Sequence, residues 1–167
     1  MTDPTTYNLY AIKYAHHDRP PSMNFIESSD LHESNMPLDF FVWAAVSDDR
    51  TFVIDTGFNA ETAARRGREL IRCPSDGLAL IGVDAAEARD VIITHMHYDH
   101  VGNFDLFPNA TYHLQDREMN FATGRNMAHH VFNAAYDVED VVGMVREVYG
   151  GRVTFHDGDV ELMPGLS

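Results

Sequence analysis

Apolar residues fall along this chain in short blocks parted by polar turns. Tyr7 to Lys13 mixes aromatic and aliphatic side chains with polar ones and predicts a first strand. Leu38 to Val46 is almost continuously apolar, Ser47-Asp48-Asp49-Arg50 is turn-like, and Thr51 to Ile54 is apolar again. These three stretches predict a β-hairpin closed by a short polar turn. The hairpin runs into Asp55-Thr56-Gly57, where the chain must bend sharply, and Asn59 is placed to cap a helix from Ala60 to Leu70. Cys73 to Gly77 reads as a loop. Asp84 and Glu87 have capping-box spacing ahead of a short helix, which leads into the buried strand Val91-Ile92-Ile93.

The second half alternates helix and strand. Phe104 to Pro108 predicts a turn or short helix, Ala110 to Leu114 a strand, and Asp116 a cap for a helix over Arg117–Ala122. The longest helical pattern runs from Asp137 to Tyr149. It puts Val138, Val141, Val142, Val145, Val148 and Tyr149 on one face and stops at Gly150-Gly151. Arg152–Phe155 and Val160–Leu162 read as short strands. Between His16 and Pro37 lies a long polar excursion broken by Pro20-Pro21. Its apolar residues Met23, Phe25 and Ile26 either fold over a pocket or seal an edge of the core. A run of strands followed by alternating helices and strands predicts an α/β layered domain, a sheet with helices packed outside it. The chain has 167 residues, which suits one such domain, and neither repeats nor an interdomain linker appear.

Composition narrows the partners. There are 26 acidic residues against 12 Lys and Arg, a net charge of -14, which argues against a nucleic-acid partner because backbone binding needs clustered cations. Cys73 is the single cysteine, so no intrachain disulfide forms, and a reducing, cytoplasmic location is expected. Met1-Thr2-Asp3-Pro4 does not open a secretion signal, and no apolar run approaches the roughly 20 residues that cross a bilayer.

The chemistry is concentrated directly after the buried strand, in Thr94-His95-Met96-His97-Tyr98-Asp99-His100. His95, His97, Asp99 and His100 are metal-capable, and burying them together requires hydrogen bonds or an ion. In extended chain His95 and His97 project to the same side and can share one ion. Asp99 and His100 follow once the chain has begun to turn, and can hold a second ion nearby. Imidazole with carboxylate suits Zn²⁺, with Fe²⁺ or Mn²⁺ as alternatives. Of the remaining histidines, His16, His17, His32 and His113 read as surface or loop residues.

This stretch resembles the HxHxDH signature of the metallo-β-lactamase superfamily, and Phe52-Val53-Ile54-Asp55-Thr56-Gly57 resembles the superfamily's earlier strand ending in Asp-x-Gly. The sequence from Ile93 to Asn103, with Phe107-Pro108-Asn109-Ala110, is most similar to the N-acyl homoserine lactonases, the quorum-quenching branch. The resemblance implies an αββα sandwich with two divalent ions at one sheet edge, His95 and His97 on one, Asp99 and His100 on the other. Asp55 would stand close behind them, either as a turn-forming residue before Gly57 or as an acceptor that orients a histidine. The implied reaction is lactone opening by a hydroxide held between two ions roughly 3.5–4 Å apart. Asp99 would carry a proton to the leaving oxygen. Met23, Phe25, Phe132 and Tyr136 are candidates for holding the acyl chain.

The pattern covers the first half to two-thirds of the implied fold. A later histidine in a Gly-His-Thr context, a bridging aspartate and one more histidine would complete the site, and none occurs before Ser167. His129, His130 and His156 lie in other contexts, the first two in a helix–loop expected to cover the site. The expectation is therefore a single domain, residues 1–167, cut from a longer hydrolase or else a natural short form. Taken alone it would bind metal weakly, and its uncovered apolar surface would favour a homodimer. Two rivals to the lactonase reading are a thioester hydrolase of the glyoxalase II type and a non-catalytic metal-binding or interaction module.

Overall fold

A computed structural model describes residues 6–25, 32 and 34–167. Strand β1 (Asn8–His17) pairs antiparallel with β2 (Leu38–Val46), and β2 turns back into β3 (Thr51–Ile54). The turn is tied by the Ser47 backbone N–H and hydroxyl, both donating to the Arg50 carbonyl. The chain continues through α1 (Ala60–Arg66), β4 (Glu69–Leu70), α2 (Pro74–Ala79), β5 (Asp90–Ile92) and α3 (Tyr98–Val101). It then forms β6 (Thr111–Gln115), α4 (Asp116–Ala122), α5 (His130–Asn133), α6 (Val138–Tyr149) and β7 (Val153–His156). The seven strands make one mixed sheet in the order β4-β1-β2-β3-β5-β6-β7. Pairing is antiparallel from β4 to β3 and parallel from β3 to β7. The expected mixed α/β architecture is present. Of the two sheets in an αββα sandwich, the described residues build this one.

Strand alternation decides which face carries the core. Ile12, Tyr14, Phe40, Val42, Ala44, Val53, Val91, Tyr112 and Leu114 are all buried and form one continuous apolar cluster with Phe58, Leu78, Met96, Phe107 and Met144. On the opposite face Phe41 and Trp43 remain 37% and 44% exposed. Arg50 and Asp90 close this second face at its far end. The Arg50 guanidinium donates two hydrogen bonds of 2.9 Å to the Asp90 carboxylate, joining the β2–β3 turn to the start of β5.

The hairpin over Leu38–Ile54 has the boundaries expected from its pattern. Other elements differ. The helix opened by Asn59 ends at Arg66, because Gly67 takes a left-handed φ of 64°, and Glu69–Leu70 then pairs with β1. Cys73–Gly77 is no loop: Pro74 starts α2 at a position where its missing N–H costs nothing. Asp116 lies within the first turn of α4, whose N-cap is Gln115. In α6 the buried residues are Val141, Gly143 and Met144, whereas Val138 and Tyr149 are 68% and 90% exposed. Val160–Leu162 forms no strand; the only pairing there is a bridge between Met163 and Leu166. His113 is a strand residue of β6, hydrogen-bonded to Asp90 and His156, and not a surface or loop residue. Met23 and Phe25 are more than half exposed and so seal no core edge; Ile26 lies outside the described residues.

Three neighbouring parallel strands, β3, β5 and β6, point their carboxyl ends the same way. Asp55, Thr94 and α4 leave from that common edge, the position where open parallel sheets place ligands. Gly102 lets the two arms close. A Cβ there would lie 2.7 Å from the Tyr98 carbonyl and 3.0 Å from the Gly57 carbonyl, both backbone atoms.

Gly102→Ala is therefore expected to cost about 1–3 kcal/mol through overpacking, read as a lowered urea midpoint. A second expectation concerns acid. Burial acts to raise the Asp90 pKa, but hydrogen bonds from Arg50 and His113 outweigh it and hold the carboxyl below its usual range. Such a group contributes stability above its unfolded pKa of about 4 and loses it as pH falls through the folded value. Stability should decline below about pH 4, and the decline should be shallower in Asp90→Asn, measured by urea unfolding across that range.

Candidate metal centre

Asp55 is the one non-glycine with positive φ among the described residues, at 64°. Aspartate enters this region more readily than most side chains. The bend turns its carboxylate toward the chain leaving β5. Oδ1 accepts the Thr94 backbone N–H at 2.9 Å, the Thr94 hydroxyl lies 2.9–3.0 Å from both carboxylate oxygens, and Oδ2 is 2.7 Å from His100 Nδ1. An ionised carboxylate can only accept, so His100 Nδ1 carries the proton and donates. His100 Nε2 is thereby aimed the other way.

The imidazoles cluster. Ring centroids are 4.4 Å apart for His95 and His97, and 3.9 Å apart for His95 and His100. His97 is the N-cap of α3, so Asp99 and His100 belong to a helical turn while His95 and His97 precede it. His100 Nε2 lies 3.5 Å from Asp99 Oδ2. Two ligands held at about 2.1 Å by one tetrahedral ion stand roughly 3.4 Å apart, so this separation suits a shared cation.

The electrostatics point the same way. Burial lowers the pKa of His95 and of His97, reinforced by the neighbouring imidazoles, which leaves both rings neutral with lone pairs available. Burial also opposes charge on His100, yet hydrogen bonds to Asp55 and Asp99 win and raise it to about 9. Asp99 is pushed up by burial but held below its usual range by the His100 hydrogen bond and charge. Positive charge is thus favoured between Asp55 and Asp99, as a divalent cation would require. The donors meet in pairs: among the described residues no three His, Cys, Asp or Glu side chains are arranged to hold one ion. The set fits a metal as part of a coordination shell.

Backbone ties fix the segment. Tyr14, fully buried, donates its hydroxyl to the Asp99 carbonyl at 2.8 Å, and the Thr56 hydroxyl and N–H both donate to the His100 carbonyl. Met96 N–H donates to Glu118 at 2.7 Å. Tyr14 and Glu118 escaped the sequence reading. Tyr14 looks like any strand aromatic and Glu118 like any acid in a first helical turn, so only proximity reveals them.

The candidate acyl-chain residues divide. Tyr136 sets its ring perpendicular to His97 with centroids 4.8 Å apart. Phe121 links Tyr136 to Phe132, which is 45% exposed. Met23 and Phe25 lie in the excursion after β1, where Pro21–Met23 forms a single 3-10 turn. His129 caps α5 and meets Phe132 edge-on, and the loop after α5 reaches the site by accepting the Tyr98 N–H at the Ala135 carbonyl.

The model of the metallo-β-lactamase superfamily matches residues 39–166. The chain belongs to this superfamily, whose members depend on divalent metal. Among curated relatives it is 43% identical over 42 residues to the N-acyl homoserine lactonase AttM of Azorhizobium caulinodans. It is 43% identical over 47 residues to the protein of the same name from Rhizobium johnstonii. Those matches cover 25% and 28% of this chain but only 16% and 18% of the relatives. Among solved structures, a quorum-quenching N-acyl homoserine lactone lactonase superposes with TM-score 0.73 at 18% identity, covering 99% of this chain and 62% of the other. The dizinc quorum-quenching lactonase AidC, with N-hexanoyl-L-homoserine product, superposes with TM-score 0.66 at 14% identity, covering 98% of this chain and 69% of the other. These likenesses show the fold, and the chain spans less than two-thirds of the first of these structures.

Asp55→Ala should cost about 2–4 kcal/mol, since it strips buried bonds from Thr94 and His100 and puts alanine at positive φ. Asp55→Asn, which tolerates that φ and can still accept from Thr94, should cost less; chemical denaturation of both variants checks the order.

Proposed function

We propose that the intact protein is a metal-dependent hydrolase that opens the lactone ring of N-acyl homoserine lactones. The observation that carries this reading is the pairing of His100 Nε2 with Asp99 while Asp55 holds Nδ1, beside the clustered rings of His95 and His97. Curated relatives bearing this sequence similarity are named for the same reaction.

In this reading His95 and His97 hold one divalent ion, and Asp99 and His100 help to hold a second, with Zn²⁺ the expected metal and Fe²⁺ or Mn²⁺ the alternatives. The chemistry supplied by the bound ions is Lewis acidity, which polarises the carbonyl and acidifies water toward neutral pH. The protein does the rest. Asp55 keeps the proton on His100 Nδ1, so that Nε2 is the nitrogen that would give up its proton to an ion. As water adds to the carbonyl carbon, Asp99, kept ionised, takes its proton and hands it to the ring oxygen while the ring C–O bond breaks. The half-exposed Phe132, linked through Phe121 to Tyr136, offers the acyl chain an apolar surface two rings away from His97. Met23 and Phe25 supply a second apolar surface to the acyl chain in this reading. Among the described residues no helix is long and apolar enough to cross a membrane.

Proton release by the intact protein, supplied with acyl homoserine lactones of graded chain length, tests the substrate. Turnover should vanish on chelation and return with Zn²⁺. Asp99→Asn should lower kcat by about 10²–10⁴-fold. If thioesters are cleaved and no lactone is, the lactone assignment falls and a thioester hydrolase takes its place. Metal that binds without any hydrolysis would leave only the binding-module reading.

A further inference from the structure

We propose that Glu118 and Tyr136 form a positioning pair for the His95–His97 arm of the metal centre. The proposal rests on the metal-dependent reading above. Its basis is the way the ligand segment is held once it leaves the sheet. The last ladder bond of this strand runs from Ile93 N–H to the His113 carbonyl. Beyond it the chain has no strand partner, and its buried N–H groups need acceptors. Three alternate residues find them in turn. Thr94 N–H donates to Asp55, Met96 N–H to Glu118 Oε1 at 2.7 Å, and Tyr98 N–H to the Ala135 carbonyl at 2.9 Å.

The middle tie falls between the two histidines. The Met96 side chain is fully buried in the core, so in extended chain His95 and His97 project away from it, toward the metal side. The same Glu118 oxygen accepts the Tyr136 hydroxyl at 2.9 Å. The Tyr136 ring in turn stands perpendicular to His97, at 89°. One carboxylate oxygen therefore fixes both the backbone beneath the histidines and the aromatic wall beside His97. None of the ion pairs among the described residues involves Glu118, so its charge is not spent on a neighbouring cation.

The experiment titrates the chain with Co²⁺, following its visible absorption band. Glu118→Ala removes both bonds and the charge, Glu118→Gln keeps one acceptor oxygen without the charge, and Tyr136→Phe keeps the ring without the hydroxyl. Glu118→Ala is expected to weaken Co²⁺ binding about 10–100-fold and shift the band, as loss of a group behind a ligand does. Glu118→Gln should recover part of the affinity. Tyr136→Phe should weaken binding less, and should add nothing in the Glu118→Ala background. Parental affinity and spectrum in Glu118→Gln and Tyr136→Phe overturn the proposal, whether or not Glu118→Ala folds. His97→Ala separates the two levels of inference. If it abolishes Co²⁺ binding while the Glu118 variants bind normally, the positioning pair fails and the metal reading stands; if it binds like the parent, the metal reading itself fails.

Discussion

The structure depends on one carboxylate. Asp55 occupies a backbone conformation that few side chains enter, and it does so where β3 ends beside β5. From there it takes the Thr94 N–H, the Thr94 hydroxyl and His100 Nδ1. These bonds span the histidine-rich segment from Thr94 to His100. Without them the Thr94 N–H would lose its acceptor and His100 Nδ1 its closest partner. The bend at Asp55, the stop of β5 and the direction of His100 Nε2 are thus a single arrangement.

Parallel pairing makes that arrangement available. Because β3, β5 and β6 run in register in the same direction, each delivers its next residues to the same edge. β3 delivers Asp55, β5 the histidines, and β6, through the first turn of α4, Glu118. Antiparallel strands would send alternate connections to opposite edges. The other half of the sheet, β4-β1-β2, contributes through Tyr14, whose ring packs on Phe58 while its hydroxyl reaches the Asp99 carbonyl. Core packing and site geometry therefore share residues, and Gly102 allows their backbones to approach.

Much of this was legible along the chain, wherever the signal was local. The hairpin over Leu38–Ile54 is a matter of apolar blocks around a polar turn. The cluster of metal-capable residues is a matter of spacing, and in the structure their side chains lie close in pairs. Legibility failed where a distant contact set the outcome. The helix after Asn59 stops early because Gly67 turns left-handed and the next residues find an edge of β1. The apolar stripe of α6 rotates so that Gly143 and Met144 are buried, with Gly143 closely facing the Phe104 ring. His113 looked like a surface residue and lies instead between Asp90 and His156, because β5 and β7 flank its strand.

The sequence by itself determined the metal-capable donor set, the turn at Asp55 and the alternation of strands that makes a layered α/β domain. Each follows from residue type and spacing over a few positions. Only the tertiary structure decided which side chains stand behind the histidine-rich segment. Asp55 lies 45 residues from His100, Glu118 lies 22 from Met96, and Tyr14 lies 85 from Asp99. Nothing in a local pattern encodes such distances. They arise because buried N–H, carbonyl and imidazole groups must find partners, and the strand order sets which partners are within reach.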